Sequence, residues 1–576
     1  MQPCHCVISS TLKARPSTLG PQWSLTSRNG ALAHTLSSDS TENLSPKTSR
    51  CSSKTTRLEQ SFCSKETSWA RLDLFLILLR LWNSCTDGAQ THALIRELQS
   101  LARGAGHERP LLIGIDQENG LVSAFGRPGA GTQFPGAMAL AAAGSPELAR
   151  DVSFLTGKEL KLVGFNWVYS PVADVNNDPL NPVIGVRSYG DDPQQVGIYA
   201  SAVAKGLMDA GVAPCAKHFP GHGDTAVDSH LALPRVMKSR EDIGHTELPP
   251  FQALFSNALP SIMTGHMAFP TITGTDDPCS LSRAITTDLL RSQLGFSGLV
   301  VTDCLEMEAI SNPEQGGCGV EEGALRALEA GADIVMICHT ISWQTGAIAK
   351  TCEAVESGRL ELEESRIEVL KDLFVGTWDD VLGPDSASFE DSWQALKEES
   401  AALSHKAYAA STALLNGSRF VALMPGNHVA LFTPPMESLN KAVDDADGVL
   451  RTKDGKLRNT AGPSFLSFAA SVEKRTHCAH FVYEQGATLA VPDECVAAIF
   501  ALRNADRLAW QLESLKQLLE STSKAIIVVG SCAPYEAASI RVPYIACFEY
   551  TPAALENAAK VIFGEAVAVG KLPVSI

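Results

Sequence analysis

Gly298-Leu-Val-Val-Thr302-Asp303-Cys304-Leu305-Glu306-Met307 is a short apolar run that ends in an acid. A continuous apolar run of this length reads as a strand buried on both faces. The same pattern recurs along the chain. Leu111 leads to Asp116, and further apolar runs lead into Val172–Asp174, Lys217–His218, His266 and Cys338–His339. Helix-like spacing marks Ala93–Ala102 and the segments 146–163, 193–211, 241–258, 283–294 and 320–330. Several of these open on Pro or Ser and stop at a glycine, as at Gly164, Gly211, Gly295 and Gly331. Strands alternating with helices build βαβ units and a parallel sheet. Polar residues gathered just after the strands mark the face where a β/α barrel keeps its active site. An open doubly wound sheet places its site similarly, so the repetition alone does not separate the two.

Outward from this region the character changes twice. Residues 1–70 are rich in Ser, Thr, Lys and Arg without sustained periodicity, and are expected to be disordered or aberrant. The barrel-like part is placed at 71–376. A Gly-, Pro-, Ser- and acid-containing stretch, 377–400, reads as a linker. A second α/β region, 401–576, carries strand candidates at Val429–Phe432, Val496–Phe500, Ala525–Val529 and Tyr544–Phe548, with a helix at Leu508–Leu519. It is expected to be a smaller sandwich of helices around a sheet.

The bulk properties exclude some partners. The net charge is −17, whereas a nucleic-acid binder needs a concentrated basic surface. A neutral sugar suits this balance. The apolar run Leu72–Trp82 contains Asp73 and Arg80 and is too short to span a bilayer, so no membrane partner is expected. The 15 cysteines are scattered without CxxC pairs, which fits small buried hydrophobes in a reducing compartment. With no signal peptide legible, a cytoplasmic location is the expectation.

Chemistry concentrates in Lys217-His218-Phe219-Pro220-Gly221-His222-Gly223-Asp224-Thr225 and Asp228-Ser229-His230, which hold three His, two Asp and one Lys within fourteen residues. Gly221 and Gly223 favour an irregular loop, one free to close over a substrate. A metal site is one rival reading, but the spacing fits no ligand arrangement on a helix and Lys217 adds an unhelpful positive charge. Hydrogen bonding within the loop would explain any single histidine, though less readily the whole cluster. Asp303 ends its strand where a nucleophile or base can sit, with Glu306 as the alternative acid. Asp116, in Gly114-Ile115-Asp116-Gln117-Glu118-Asn119-Gly120, could accept two sugar hydroxyls, while Glu118 could form an ion pair. Arg187, in Asn181-Pro-Val-Ile-Gly185-Val186-Arg187-Ser188, could hold a substrate oxygen or a carboxylate.

Together these segments resemble glycoside hydrolase family 3, in particular its β-N-acetylglucosaminidase (β-N-acetylhexosaminidase) branch in a fungal-like two-domain form. The resemblance rests on Lys-His-Phe-Pro-Gly-His-Gly-Asp-Thr at 217–225, Asp-Ser-His at 228–230, the Ile-Asp-Gln-Glu opening, Asn-Pro-Val-Ile-Gly and Thr-Asp-x-Leu-Glu-Met, in the family's order. It runs from about residue 94 to the closing Gly-Lys-Leu-Pro-Val-Ser-Ile. It implies a TIM-type barrel followed by a three-layer α/β domain, and retaining exo-hydrolysis of terminal β-linked N-acetylglucosamine. By resemblance Asp303 is the nucleophile, His230 with Asp228 the acid/base, and Asp116, Arg187, Lys217 and His218 hold the sugar. No cofactor and no metal are implied. An imidazole donor departs from the usual pair of carboxylates about 5–5.5 Å apart, and its ordinary pKa near neutrality suits proton shuttling. In bacterial relatives the Asp-Gln-Glu segment continues with Gly-Gly-Arg and a further Arg, whereas here the positions read Asn119, Gly120, Leu121 and Ala124; the missing arginines speak against recognition of a muropeptide.

About six strand–helix units are legible from Leu111 to Glu356, whereas the barrel needs eight strands. The sequence therefore predicts a barrel lacking its first one or two strands, with an altered N-terminus and Leu72–Leu81 as a remnant or replacement. Other functions are open at this stage: a phosphorylase or β-glucosidase of the same family, a non-catalytic sugar-binding relative, and, more remotely, a metal-dependent hydrolase. Composition does not indicate the oligomeric state.

Overall fold

A computed structural model describes residues 6–9, 75–77, 85, 87–127, 129–383, 388–436 and 461–576. Eight strands close into a barrel: β1 (Cys6–Ser9), β2 (Phe75–Ile77), β3 (Ile113–Ile115), β4 (Trp167–Val168), β5 (Ala213–Phe219), β6 (Ser261–Thr264), β7 (Leu299–Cys304) and β8 (Ile334–Ile337). Their order around the ring is β1-β2-β8-β7-β6-β5-β4-β3. From β3 to β8 and on to β2 the neighbours are parallel. β1 is antiparallel to both neighbours, with Val7 opposite Gly114 and Ile8 opposite Ile77.

The parallel series thus lacks one member, within the one or two predicted, while the ring itself is closed. Phe75–Ile77 falls inside the run read as a remnant or replacement. Cys6–Ser9 comes from the segment expected to be disordered, and the rest of 1–70 lies outside the described residues. Pairing matters here, because a missing strand would expose unpaired backbone groups on both sides of the gap.

Most helices form where the sequence spacing places them. They include α1 (Gly88–Gly104), α2 (Pro146–Val163), α3 (Pro193–Asp209), α4 (Leu248–Ser256, preceded within the same segment by a short helix Arg240–His245), the π-helical α5 (Ala284–Gln293) and α6 (Val320–Glu329); α7 (Ile341–Glu356) follows β8 without having been marked by the spacing. α2 shows why the boundaries were readable. Ser145 accepts from the Leu148 amide, Pro146 sits at the first helical position, and Gly164 ends the helix at φ 110°. The barrel strands bury apolar side chains such as Ile113, Ile262, Val300, Val301, Ile334 and Val335, together with a few hydroxyls such as Ser261, Thr264 and Thr302.

The stretch read as a linker carries a short helix, Trp378–Leu382, and the first half of α8 (Phe389–Ser411). α8 packs on α2 and leads into a six-stranded sheet: β9 (Ala413–Leu415), β10 (His428–Thr433), β11 (His477–Val482), β12 (Ala497–Leu502), β13 (Ala525–Gly530) and β14 (Tyr544–Ala546), in the order β9-β14-β13-β12-β10-β11. Helices Gly462–Glu473 and Pro552–Ile562 pack together within one of the two apolar cores flanking this sheet, and Trp510–Ser521 adds Leu515 and Leu518 to the other. Among the described residues no helix is long and apolar enough to cross a membrane.

Candidate active site

The parallel strands all present their C-terminal ends on one face, and the polar residues singled out in the sequence gather there. Asp116 follows β3, Lys217 and His218 lie near the end of β5, and Asp303 lies near the end of β7. Lys217 Nζ donates to Asp116 Oδ1 at 2.6 Å and to Glu118 Oε1 at 2.6 Å. Arg187 donates to Glu118 through both Nε and Nη2. Glu118 therefore forms the ion pair that the sequence allowed. Burial would push its carboxyl up, but Arg187 and Lys217 overcome that and hold it at about 2. Burial pushes Asp116 up to about 6 against the pull of Lys217, with the charges of Glu118 and Asp303 adding to the rise.

His218 stands beside this cluster. Its Nδ1 lies 2.7 Å from Asp174 Oδ2 and its Nε2 lies 3.4 Å from Arg187 Nη2. Because a guanidinium only donates, Nε2 accepts and Nδ1–H donates to Asp174. Asp174 is fully buried and also takes the backbone amides of His218 and His222, at 3.2 and 2.7 Å. Burial raises its pKa, but His218 and the other donors outweigh this and leave it below the ordinary value. Sequence reasoning placed Asp174 at a strand end without giving it this task.

The loop after β5 holds the other two histidines, and they differ. His222 is buried, with Nδ1 2.8 Å from Thr225 Oγ1 and Nε2 2.9 Å from Ser229 Oγ. Its carbonyl accepts from Asn181 Nδ2 at 2.8 Å, which ties the loop to the Asn-Pro-Val-Ile-Gly segment. His222 is a structural pin. His230 has 23% of its side chain exposed; its Nδ1 lies 2.7 Å from Asp228 Oδ1, and its Nε2 has no partner among the described residues. Asp228 is buried, and Oδ1 also accepts the His230 amide at 2.9 Å. This carboxylate holds the ring in one orientation. Its own pKa, raised by burial, is brought below the ordinary value by His230.

The two loop glycines are there for closeness. A Cβ on Gly223 would overlap the Val175 carbonyl, and one on Gly221 would meet Glu247 Cγ at 2.6 Å, at a φ of 133°. The loop is packed against its neighbours, so the freedom expected from these glycines has a packing explanation instead.

Asp303 Oδ1 accepts the Cys304 amide at 2.7 Å. Burial raises the Asp303 pKa, but His218, His266, His230 and this amide together hold it below the ordinary value. His266 is fully buried behind the strand; its Nε2 is 3.0 Å from the Cys304 carbonyl and its Nδ1 is 2.7 Å from Ser280 Oγ. A carbonyl only accepts, so Nε2 carries the hydrogen and the Ser280 hydroxyl donates to Nδ1. Glu306, the alternative acid, is spent elsewhere. Its Oε2 accepts the amides of Cys338 and His339, at 2.7 and 2.5 Å, and its Oε1 that of Thr340 at 2.9 Å. Asp303, with the one backbone amide of Cys304, is the less engaged carboxylate at the end of β7.

The second domain reaches the same face. Asn176 Nδ2 donates to Tyr535 Oη at 2.7 Å, Arg507 Nη1 donates to the Pro182 carbonyl at 3.2 Å, and Glu549 Oε2 accepts the Gly136 amide at 2.8 Å. These contacts set the domain against loops that follow β3 and β4. A cavity of about 30 Å³ between them is lined by Leu121, Asn181, Arg187, Asn504, Arg507 and Tyr550 among others.

The site thus sets an Asp at the end of one strand and a His–Asp pair in a loop on the C-terminal face of a β/α barrel. The Glycosyl hydrolase family 3 N terminal domain matches residues 74–371, and the chain belongs to that family. The matched range contains every candidate residue above. Beta-hexosaminidase A of Pseudoalteromonas piscicida is 36% identical over 299 residues, covering 48% of this chain and 49% of that protein. Beta-hexosaminidase LpqI of Mycobacterium tuberculosis is 39% identical over 248 residues, covering 42% and 61%. The chain thus spans about half to three-fifths of these two relatives. Among solved structures, a family 3 beta-N-acetylglucosaminidase from Paenibacillus sp. superposes with a TM-score of 0.73 at 30% identity, over 87% of this chain and 92% of that one. A fungal multi-domain GH3 beta-N-acetylglucosaminidase gives 0.74 at 34%, over 87% and 57%.

Proposed function

We propose that this chain is a retaining exo-glycosidase that releases terminal β-linked N-acetylglucosamine. Asp303 attacks the anomeric carbon while His230 protonates the departing oxygen, giving a glycosyl–Asp303 ester. His230, now neutral, then takes a proton from water, and the resulting hydroxide equivalent breaks the ester. Asp228 orients the imidazole and stabilises its charged form throughout, as the acid does in hydrolytic triads. Asp116, Arg187, Lys217 and His218 are assigned to the sugar hydroxyls and the N-acetyl group.

The observation that carries this reading is the Asp228–His230 pair in the barrel loop: one ring nitrogen is held by a buried carboxylate and the other has no partner among the described residues, beside an Asp303 that is kept ionised. Relatives and structural neighbours named as hexosaminidases and N-acetylglucosaminidases support the sugar class. The test is nitrophenol release from the β-N-acetylglucosaminide and the β-glucoside, with wild type and Asp303→Ala. Release from the first substrate only, lost in the variant, supports the assignment. Release from the β-glucoside alone, or undiminished release by Asp303→Ala, overturns it.

An imidazole acid/base repels an anionic acceptor less than a carboxylate does, so phosphate is a chemically permitted alternative to water in the second step. Appearance of the sugar 1-phosphate when phosphate is added would replace hydrolysis with phosphorolysis.

A further inference from the structure

Behind the nucleophile strand lies a cluster that the proposed reaction does not use. Cys304 Sγ, a carboxylate oxygen of Glu306, Cys338 Sγ and a ring nitrogen of His339 all lie within 4.8 Å of one another. Cys304, Glu306 and Cys338 are buried and His339 is half-buried. Two of these residues end β7 or follow it and two follow β8, and Met336 pairs with Cys304 just past a shift in register between the two strands. The Leu305 amide also donates to the Met336 carbonyl at 2.9 Å.

We propose that Cys304, Glu306, Cys338 and His339 form a binding site for one divalent cation of the zinc class. Two sulfurs, an imidazole and one carboxylate oxygen are a soft-to-borderline donor set that suits zinc and not magnesium or calcium. Zinc bonded tetrahedrally at about 2.0–2.3 Å needs ligand atoms about 3.3–3.8 Å apart. Spacings within 4.8 Å reach that by small side-chain rotations, without moving the strands.

The carboxylate is already oriented. Oε2 of Glu306 accepts the amides of residues 338 and 339 and the Cys304 thiol, a hydrogen bond that is lost when the thiol binds a metal, and Oε1 accepts only the amide of residue 340. A carboxylate offers about four, which leaves one on Oε1 for a metal. Fixing a ligand from behind in this way is what tightens metal sites generally. Binding releases one proton from each thiol to solvent, leaving two thiolates, one carboxylate and a neutral imidazole around the ion.

Buried cysteines usually serve as small apolar residues. Cys215 and Cys279 are equally buried thiols, yet among the described residues no other trio of His, Cys, Asp and Glu converges in this way. The site also shares a peptide with the nucleophile, since the Cys304 amide donates to Asp303 Oδ1. These residues lie apart from the 217–230 cluster, where the sequence spacing spoke against a metal.

The test is a cobalt(II) titration of chelator-treated full-length protein, followed by absorbance. The expected result is a thiolate-to-cobalt charge-transfer band that saturates at one equivalent, retained in Asp303→Asn and lost in the Cys304→Ser/Cys338→Ser double variant. Absence of the band from wild type, or its survival in the double variant, overturns the proposal. Should the double variant fail to fold, His339→Gln decides: cobalt affinity at least about tenfold weaker supports the site, and unchanged affinity overturns it.

Discussion

Arg187 clasps Glu118 through two bonds, Nε to Oε2 at 2.9 Å and Nη2 to Oε1 at 2.7 Å, and Lys217 shares the same Oε1 at 2.6 Å. All three side chains are at most 7% exposed. Glu118 therefore balances two cations at the mouth of the barrel, leaving Asp116 the freer carboxylate. Glu118→Gln would leave Lys217 paired with Asp116 alone and Arg187 without its bonded carboxylate, with only the more distant charges of Asp174 and Asp116. Breaking a buried pair by removing one partner costs about 3–5 kcal/mol. Chemical denaturation should show a midpoint shift of that size with an unchanged slope. A shift below about 1 kcal/mol, the size of an exposed pair, would show that Glu118 is not needed for charge balance.

Much of this arrangement was legible before the structure. The apolar runs and glycine stops located six barrel strands and their helices because buried parallel strands are continuously apolar and helix ends need left-handed residues. Gly164, Gly211, Gly295 and Gly331 all have positive φ. What escaped detection lacked such a signal. β1 is four residues inside a Ser/Thr-rich tail, and its role is to pair backbone, which any residue can do. β11, His477–Val482, lies at a sheet edge with largely exposed or half-buried side chains, so its pattern is not apolar. In the site, residue types pointed to the 217–230 cluster and to an acid at the end of β7, and the family resemblance to Asp303 and His230 within them. The division of labour between His222 and His230, and between Asp303 and Glu306, depends on hydrogen-bond partners distant in sequence. Gly223 was read as a source of mobility because sequence does not reveal that the Val175 carbonyl presses on it.

If His230 is the acid/base, Asp228→Asn should act through it. An amide can still accept from the His230 backbone but cannot stabilise an imidazolium. We expect kcat to fall by about 10²–10⁴, with KM changed far less, and the pH profile to lose its limb on the side where charged His230 is needed. Wild-type kcat with an altered KM would place Asp228 in substrate binding instead.

Asp116 should make sugar affinity pH-dependent. Burial lifts its pKa to about 6, so the carboxylate predominates above that pH and the neutral acid below it. Protonation removes acceptor capacity for sugar hydroxyls. Binding of N-acetylglucosamine, measured by calorimetry, should weaken as pH falls from 7 to 5, with an inflection near 6. Asp116→Asn should bind weakly at every pH and show no inflection there. An inflection that survives in the variant would belong to another group.

His222 should govern part of the acid stability. Burial above all depresses its pKa from 6.5 to about 4, and both ring nitrogens rest on hydroxyls of Thr225 and Ser229. A depressed histidine stays neutral in the folded protein while the unfolded chain takes up a proton. Between pH 6.5 and 4 the unfolded state therefore binds more protons, and stability falls as pH falls. The contribution is whole above pH 6.5 and fully lost near pH 4, a difference of about 3 kcal/mol at most. His222→Gln can still meet one hydroxyl but does not titrate. It should be less stable than wild type at pH 7 by about 1–3 kcal/mol, and the gap should narrow as the solution is acidified. Melting curves that run parallel across this range would mean that His222 is protonated in the folded loop, and that the pin holding His230 in place is a charged one.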